Sequence, residues 1–329
     1  MEQIDILMAT YNGEKYLREQ IDSILNQTYS NFRLLISDDC SKDGTQKILK
    51  EYEEKDSRII IFCQDKNLGY VKNFEFLLTK VENEIYMLSD QDDFWLPDKI
   101  EKTYNKMINS NADLVFTDLE VVNEKLETMF PSFNDYMKLT RKIKKYIDDY
   151  RLQYLYNCVT GCTLMSKKKF LNSCLPLPTI SKYAIHDTWI ACVVANKGKI
   201  AYLDEKTIKY RQHGENQVGT DKISHKFKKL DDVRELFLNV KIGLFKTYVE
   251  NGKVFDENVR RQNQKALDYF EMLKQKRHVN FVGWNVFHKL YRTETFTYYM
   301  ENFLIMNFPG LSRVLFKIRY QLLKILGKR

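Results

Sequence analysis

Three carboxylates fall within four positions in the stretch Leu88-Ser89-Asp90-Gln91-Asp92-Asp93-Phe94-Trp95. Like charges this close repel unless a cation or a hydrogen-bond network holds them, so Asp90-x-Asp92 reads as a ligand set for a hard divalent metal, Mg²⁺ or Mn²⁺, bound through oxygen. Such a cation in turn suggests a phosphate-bearing substrate. The tripeptide alone is frequent by accident and equally describes a solvated acidic loop, so its weight depends on the elements that present it.

Those elements begin with Ile85-Tyr86-Met87, a short apolar run that reads as a buried strand, and continue into Pro97 at the first turn of a helix. The carboxylates therefore stand at a strand's exit, which in a parallel sheet is the edge where ligands bind. Upstream, strand-like runs at Ile4 to Met8, Arg33 to Ser37 and Ile59 to Phe62 alternate with helical periodicities. One helix carries Leu17, Ile21, Ile24 and Leu25, the next Ile48, Leu49 and Tyr52, and a third Val71, Phe74, Leu77 and Leu78. Alternation at this spacing predicts right-handed crossovers and a mainly parallel sheet, hence an α/β fold.

The loops are short of the glycines that dinucleotide and P-loop folds need. No Gly-x-Gly-x-x-Gly follows the first strand and no Gly-x-x-x-x-Gly-Lys-Ser/Thr occurs anywhere, which excludes the usual dehydrogenases and P-loop enzymes. Thr10-Tyr11-Asn12 stands there instead, offering a hydroxyl, an aromatic face and an amide. The second loop, Asp39-Cys40-Ser41-Lys42-Asp43-Gly44, imitates the start of a calcium loop. It has Lys50 where a bidentate Glu is needed and a strand before it, so calcium is rejected.

The chain has 329 residues, 44% hydrophobic and 29% charged, enough for a large domain with an appendage. Six scattered cysteines without a Cys-x-x-Cys pair point to reduced thiols. The start Met1-Glu2-Gln3-Ile4-Asp5 lacks a signal-peptide pattern, and a cytoplasmic protein is expected. Net charge is +8 but unevenly divided: residues 221–329 carry 22 Lys and Arg against 11 Asp and Glu, leaving 30 against 33 in residues 1–220. The presumed site is thus mildly acidic, which argues against a nucleic-acid partner.

Taken in order, Met8-Ala9-Thr10-Tyr11-Asn12-Gly13, Ser37 to Thr45, Asn67-Leu68-Gly69 and Ser89 to Asp93 resemble the motifs of family-two inverting glycosyltransferases of the GT-A fold, including rhamnosyltransferase-like members. The resemblance covers roughly residues 3–220. It implies a GT-A nucleotide-diphospho-sugar transferase domain over 1–220, with 221–329 a basic helical extension. It further implies a Mn²⁺ or Mg²⁺ cofactor, a dTDP- or UDP-sugar donor and a glycan or lipid-linked acceptor in surface polysaccharide assembly; a homo-oligomer is compatible with it. On the family pattern Thr10, Tyr11, Asn12 and Asn67 line the nucleotide-sugar pocket, Asp39 recognises the base, Asp90 lies near the ribose and Asp92 contacts the metal.

Later stretches extend the resemblance. Val159 to Met165 looks like a strand flooring the acceptor side, and His186-Asp187-Thr188-Trp189 opens a helix whose first turn suits an anion. The family pattern makes Asp187 the general base, and His186, Trp189, Asp93 and Trp95 are acceptor-side candidates. Tyr210 to Gly219 resembles a closing loop in which Arg211 meets the diphosphate and His213 the metal or phosphate. A catalytically dead binding module and a nucleotidyltransferase are the competing readings; the second would release pyrophosphate.

Beyond residue 221 the chain reads as helices, with no stretch apolar enough to span a membrane. The last one places Leu311, Val314, Leu315, Ile318, Leu322 and Ile325 opposite Arg313, Lys317, Lys324 and Lys328. That pattern suits either packing on the domain or a peripheral position on an anionic membrane.

Overall fold

The computed structural model describes residues 2–137, 139–156, 158–178, 185–214 and 233–275, with positions 304, 308, 311, 314 and 315. It separates into two compact units: Met1–Leu177 with Ile185–Arg211, and Pro178–Ala184 with Gln212–Arg329. The division falls at Arg211, earlier than the sequence boundary at residue 220.

In the first unit β1 (Ile4–Thr10), β2 (Phe32–Asp38), β3 (Ile59–Cys63) and β4 (Ile85–Ser89) alternate with α1 (Leu17–Leu25), α2 (Thr45–Glu53) and α3 (Tyr70–Leu78). They pair in parallel in the order β3-β2-β1-β4. A strand covered on both faces needs apolar residues at every position. Accordingly β4 is buried throughout and β1 nearly so, and Ile4, Ile6, Met8, Leu34, Ile36, Ile85 and Met87 share one core with Leu17, Ile21 and Ile24 of α1.

The expectation of a mainly parallel sheet holds for this half. Beyond β4 come β5 (Phe94–Trp95), α4 (Lys99–Ser110), β6 (Leu114–Val122), β7 (Thr128–Phe130), β8 (Leu164–Lys167) and β9 (Ile200–Arg211). Here β8 runs antiparallel to both β4 and β6, β6 is parallel to β9, and β5 is antiparallel to β9. Two local readings shift. Pro97 precedes the helix rather than opening it, since Asp98 is the residue before Lys99. Gly161–Thr163 is a 3-10 turn, so the strand expected over Val159 to Met165 is confined to β8. Ile200–Arg211 is one continuous strand, β9.

The pairings of β9 explain the site's assembly. Its C-terminal half lies on β5, Phe94 opposite Lys209 and Trp95 opposite Ile208, and so brings Arg211 back beneath the acidic loop across more than a hundred residues of chain. In the second unit, Val233–Glu250 and Glu257–Gln275 pack together through Phe237, Phe245 and Phe270, with Phe245 and Phe270 stacked at 5.7 Å. Ala266, Phe270 and Leu273 are buried as their spacing predicts. The amphipathic segment expected at the C-terminus lies outside the described residues except for Leu311, Val314 and Leu315, all exposed. Among the described residues no helix is long and apolar enough to cross a membrane.

Candidate active site

The loops leaving β1, β2 and β4 meet at the C-terminal edge of the parallel half, tied by side chains whose types were visible in the sequence. Asn12 adopts a left-handed backbone (φ 48°), its amide donates to Ser41 Oγ at 2.9 Å and its Oδ1 accepts from the Lys42 amide at 2.8 Å. Thr10 is buried and turns its hydroxyl to Asp38 Oδ1 at 3.3 Å, while its carbonyl accepts from the Asp39 amide at 2.8 Å. These two tie the exits of β1 and β2 together. Tyr11, 42% exposed, is the member of the trio that offers a free aromatic face.

Asp39 accepts from the amides of Leu68 at 2.6 Å and Gly69 at 2.9 Å, so its carboxylate holds the third loop to the exit of β2. Asn67 closes the same turn by accepting from the Gly69 amide at 3.0 Å. Gly69 itself sits at φ 80°, where a side chain would be strained.

The acidic loop is fixed by α1 and the turn that follows it. Gln20 donates to Ser89 Oγ at 2.8 Å, Ser23 Oγ accepts from the Trp95 amide at 3.1 Å, and Gln27 bridges the Leu96 carbonyl at 2.7 Å and the Ile100 amide at 3.1 Å. Gln91 reaches up from the loop and exchanges two hydrogen bonds with the backbone of Tyr11, at 2.9 and 3.1 Å. Arg211 completes the frame. Its Nε donates to the Asp92 carbonyl at 2.9 Å, its terminal nitrogens to the Glu124 carbonyl at 2.6 Å and the Glu19 carboxylate at 2.5 Å, and its guanidinium lies 4.6 Å from the centre of the Tyr16 ring. At 2% exposure and so engaged, Arg211 braces the loop from within.

Electrostatics single out the carboxylates. Burial, then the charges of Asp92 and Asp187, push Asp90 up to about 7. Asp93 is also raised, by burial first and then by Asp92 and Asp90. Asp93 is fully buried, with Oδ1 accepting from the Arg211 amide at 3.2 Å and Oδ2 without a hydrogen-bond partner among the described residues. Such a cluster favours a cation, since each carboxylate is harder to ionise because of the others.

Among the described residues, one group of three ligand-type atoms lies within 4.8 Å: a carboxylate oxygen of Asp90, one of Asp93, and Cys162 Sγ. Sulfur is a poor partner for Mg²⁺ or Mn²⁺, and burial keeps the Cys162 thiol protonated. The oxygens that suit a hard cation at the loop's surface are therefore those of Asp90 and of half-buried Asp92.

Asp187 faces this cluster from the helix His186–Lys197, close enough for its charge to act on Asp90. Its Oδ2 accepts from the Gly161 amide at 2.9 Å and its Oδ1 from the Thr188 amide at 2.5 Å. A Cβ on residue 161 would stand 3.0 Å from His186 Nε2, so a larger residue there would require the imidazole to give by a few tenths of an ångström. His186 is buried, stacked on Phe74 at 4.3 Å and edge-on to Tyr70 at 6.3 Å. Burial lowers its pKa, against the opposing charge of Asp187.

The structure thus brings together Thr10, Tyr11, Asn12, Asp39, Asn67, Asp90, Asp92 and Asp187. Three of the acceptor-side candidates, Trp95, Trp189 and Asp93, are buried. Trp95 and Trp189 are each 1% exposed; the first packs in the sheet core, and the second donates its indole N–H to the Cys174 carbonyl at 2.9 Å. Asp93 is interior. His213 is half-buried and belongs to the second unit. Sequence reasoning missed the bracing residues Gln20, Asp38 and Gln91. Asp38 accepts from Ser41 and Gln46 as well as Thr10, a role that the run Ser37-Asp38-Asp39 could have suggested.

Comparison with known proteins agrees with this geometry. Residues 5–172 match the family described as Glycosyl transferase family 2. An uncharacterized glycosyltransferase of Methanocaldococcus jannaschii is 30% identical over 211 residues, covering 63% of this chain and 70% of that protein. The dTDP-rhamnosyl transferase RfbG of Shigella flexneri is 29% identical over 290 residues, covering 82% and 95%. Among solved structures, S. aureus TarS 1-349 in complex with UDP-GlcNAc superposes with a TM-score of 0.55 at 15% identity, covering 99% of this chain and 89% of that one. The mannosyltransferase PcManGT from Pyrobaculum calidifontis, in complex with GDP-Man and Mn²⁺, gives 0.55 at 12%, covering 99% and 88%. The matched residues run from β1 through the acidic loop to β8, and with the fold they establish that this chain belongs to glycosyl transferase family 2 and is a glycosyltransferase of the GT-A fold.

Proposed function

We propose that the chain transfers a sugar, with inversion, from a nucleoside-diphosphate donor to a glycan or lipid-linked acceptor during assembly of a cell-surface polysaccharide. The observation that carries this reading is the convergence of Asp90 and Asp92 at the exit of β4 with Asp187 on a separate helix, close enough to be coupled electrostatically. A dTDP- or UDP-sugar is the favoured donor, and rhamnose the favoured sugar; the near full-length similarity to a protein named as a dTDP-rhamnosyl transferase supports this.

The division of labour follows from the geometry. Tyr11 presents its exposed ring to the base, and Asp39, through the turn it anchors, shapes the same pocket. Asp90 and Asp92 would hold Mn²⁺ or Mg²⁺, and the cation would supply positive charge to offset that of the departing diphosphate. Asp187 accepts the proton of the acceptor hydroxyl as that oxygen attacks the face of the sugar opposite the diphosphate. Oδ2, which takes the Gly161 amide, keeps a lone pair for that proton, while Oδ1 is held by the amide and hydroxyl of Thr188, and these donors fix the carboxylate's direction.

The C-terminal segment suits the cytoplasmic face of a membrane: residues 221–329 carry the chain's basic excess, and Phe308, Leu311, Val314 and Leu315 are exposed. Deleting 311–329 should abolish salt-sensitive binding to anionic vesicles. For the transferase reading the test is a thermal-shift panel of dTDP-, UDP- and GDP-sugars with and without Mn²⁺. A ligand at ~100 times its dissociation constant adds about 2.7 kcal/mol. Stabilisation by a nucleotide sugar that grows with Mn²⁺ is expected, and no response to any member of the panel would refute the proposal.

A further inference from the structure

With Trp95 and Trp189 buried, two aromatic rings remain exposed among the described residues of the first unit, Tyr11 and Tyr70. Tyr11 stands at the exit of β1. Tyr70, 36% exposed, is the first residue of α3 and so lies at the same C-terminal edge of the parallel strands.

Its position is set from two sides. Gly69, immediately before it, has φ 80° and donates its amide to Asp39 at 2.9 Å, so the turn anchored at the exit of β2 also fixes where α3 begins. On the other side the Tyr70 ring lies 6.3 Å from that of His186, at an interplanar angle of 72°. Phe74, four residues along the same face of α3, stacks on that imidazole at 4.3 Å. The imidazole leads to the carboxylate of Asp187. The place that a Cβ on residue 161 would occupy is 3.0 Å from His186 Nε2 and 3.6 Å from Asp187 Oδ2. Phe74, His186 and Tyr70 thus form an aromatic wall beside Asp187, and Tyr70 is its exposed end. Burial, and after it the charge of Asp187, raises the pKa of the Tyr70 phenol.

A part-exposed ring next to a general base suits one chemical class. A pyranose carries C–H groups on its faces and hydroxyls around its rim. The C–H face packs on the electron-rich face of an aromatic ring while the rim hydroxyls stay free for polar groups. Holding one of those hydroxyls at a base replaces a chance encounter with a fixed geometry. A phosphate in that place would face the charges of Asp187 and Asp90, which already act on one another.

We propose that Tyr70 is the acceptor platform: its exposed ring receives the terminal pyranose of the acceptor and holds a hydroxyl of that sugar toward Asp187. The group that is glycosylated is then an uncharged sugar ring rather than a phosphate-bearing polyol. The inference rests on reading Asp187 as the general base.

The experiment is saturation-transfer NMR on the full chain with Mg²⁺ and whichever of dTDP, UDP or GDP the wild type binds. The probes are the methyl glycosides of rhamnose, glucose and N-acetylglucosamine, with glycerol 3-phosphate as the comparator. The wild type should bind at least one glycoside more tightly than glycerol 3-phosphate. Tyr70→Ala should weaken that binding by about 5–30-fold, the usual effect of truncating an aromatic anchor. Tyr70→Phe, which keeps the ring, should recover most of the loss. Nucleotide affinity, measured calorimetrically, should not follow this pattern, whereas a merely structural role would lower it in step. Failure of every glycoside to bind the wild type, wild-type glycoside binding by Tyr70→Ala, or a parallel loss of nucleotide affinity overturns the proposal. Should Tyr70→Ala fail to fold, Tyr70→Leu decides: it fills the space without a π-face and must weaken glycoside binding, and wild-type affinity would overturn the platform. Turnover of Asp187→Asn runs in parallel. If it is close to wild type the base reading itself fails, whereas lost turnover there with unchanged glycoside binding in Tyr70→Ala removes only the inference.

Discussion

Replacing Asp187 with Asn separates proton transfer from shape. In the wild type Oδ2 accepts from the Gly161 amide at 2.9 Å, and Oδ1 accepts from the Thr188 amide at 2.5 Å and the Thr188 hydroxyl at 3.2 Å. An Asn side chain has one oxygen, so it can keep one amide and must turn its own NH₂ toward the other. A buried backbone donor without an acceptor costs about 1–3 kcal/mol, so the variant should melt earlier yet stay folded at assay temperature. Loss of the general base should lower turnover by about 10²–10⁴, equivalent to about 3–5 kcal/mol in the barrier. Donor affinity should change little, because the proposed role of Asp187 is toward the acceptor hydroxyl. The assay is nucleoside-diphosphate release at saturating donor, with donor binding measured calorimetrically on the same sample. A folded Asp187→Asn enzyme with turnover close to wild type would refute the reasoning and leave Asp187 as the residue that fixes the Gly161 turn.

Other substitutions probe the frame. Arg211→Met leaves the carbonyls of Asp92 and Glu124 without their donor, at roughly 1–3 kcal/mol each, and should lower both the melting temperature and Mn²⁺-dependent nucleotide binding. If Arg211 instead met the diphosphate, binding without metal would fall as well. Trp189→Phe removes the hydrogen bond to the Cys174 carbonyl; it should destabilise by about 1 kcal/mol and leave the acceptor KM unchanged, since the ring is internal. His186 is kept below its ordinary value of 6.5 by burial, so the folded state holds its imidazole neutral. The unfolded chain then takes up the extra proton as pH falls through 6.5, and this contribution to stability is present above that value and lost below it. Thermal melts between pH 5 and 8 should show this slope, on the order of 1.4 kcal/mol per pH unit at most, reduced in His186→Gln.

How much of this was legible in the sequence depended on the range of the interaction. β1 to β4 and the helices between them were readable because parallel strands covered on both faces leave unbroken apolar runs, and α1 to α3 repeat their buried residues at helical spacing. The acidic loop was readable because three carboxylates in four positions need explaining. The antiparallel pairings of β8 and β5 were not, since register between distant segments is set by packing that no local pattern encodes. For the same reason the partners that hold Arg211 at the Asp92 carbonyl, Trp95 in the β5–β9 pairing and Trp189 at the Cys174 carbonyl could not be read from the residues around them. Gln20 and Gln91 gave no signal at all, because a glutamine's partners are chosen by the fold.

The most direct measurement uses water as the acceptor. The full chain is incubated with the nucleotide sugar that stabilises it and Mn²⁺, and the first turnovers are followed by proton NMR before the freed sugar mutarotates. An Asp187-based, in-line displacement releases a nucleoside diphosphate and a sugar of opposite anomeric configuration, so a β-linked donor yields the α-anomer first. Release of pyrophosphate, or a sugar that keeps the donor's configuration, would contradict the account.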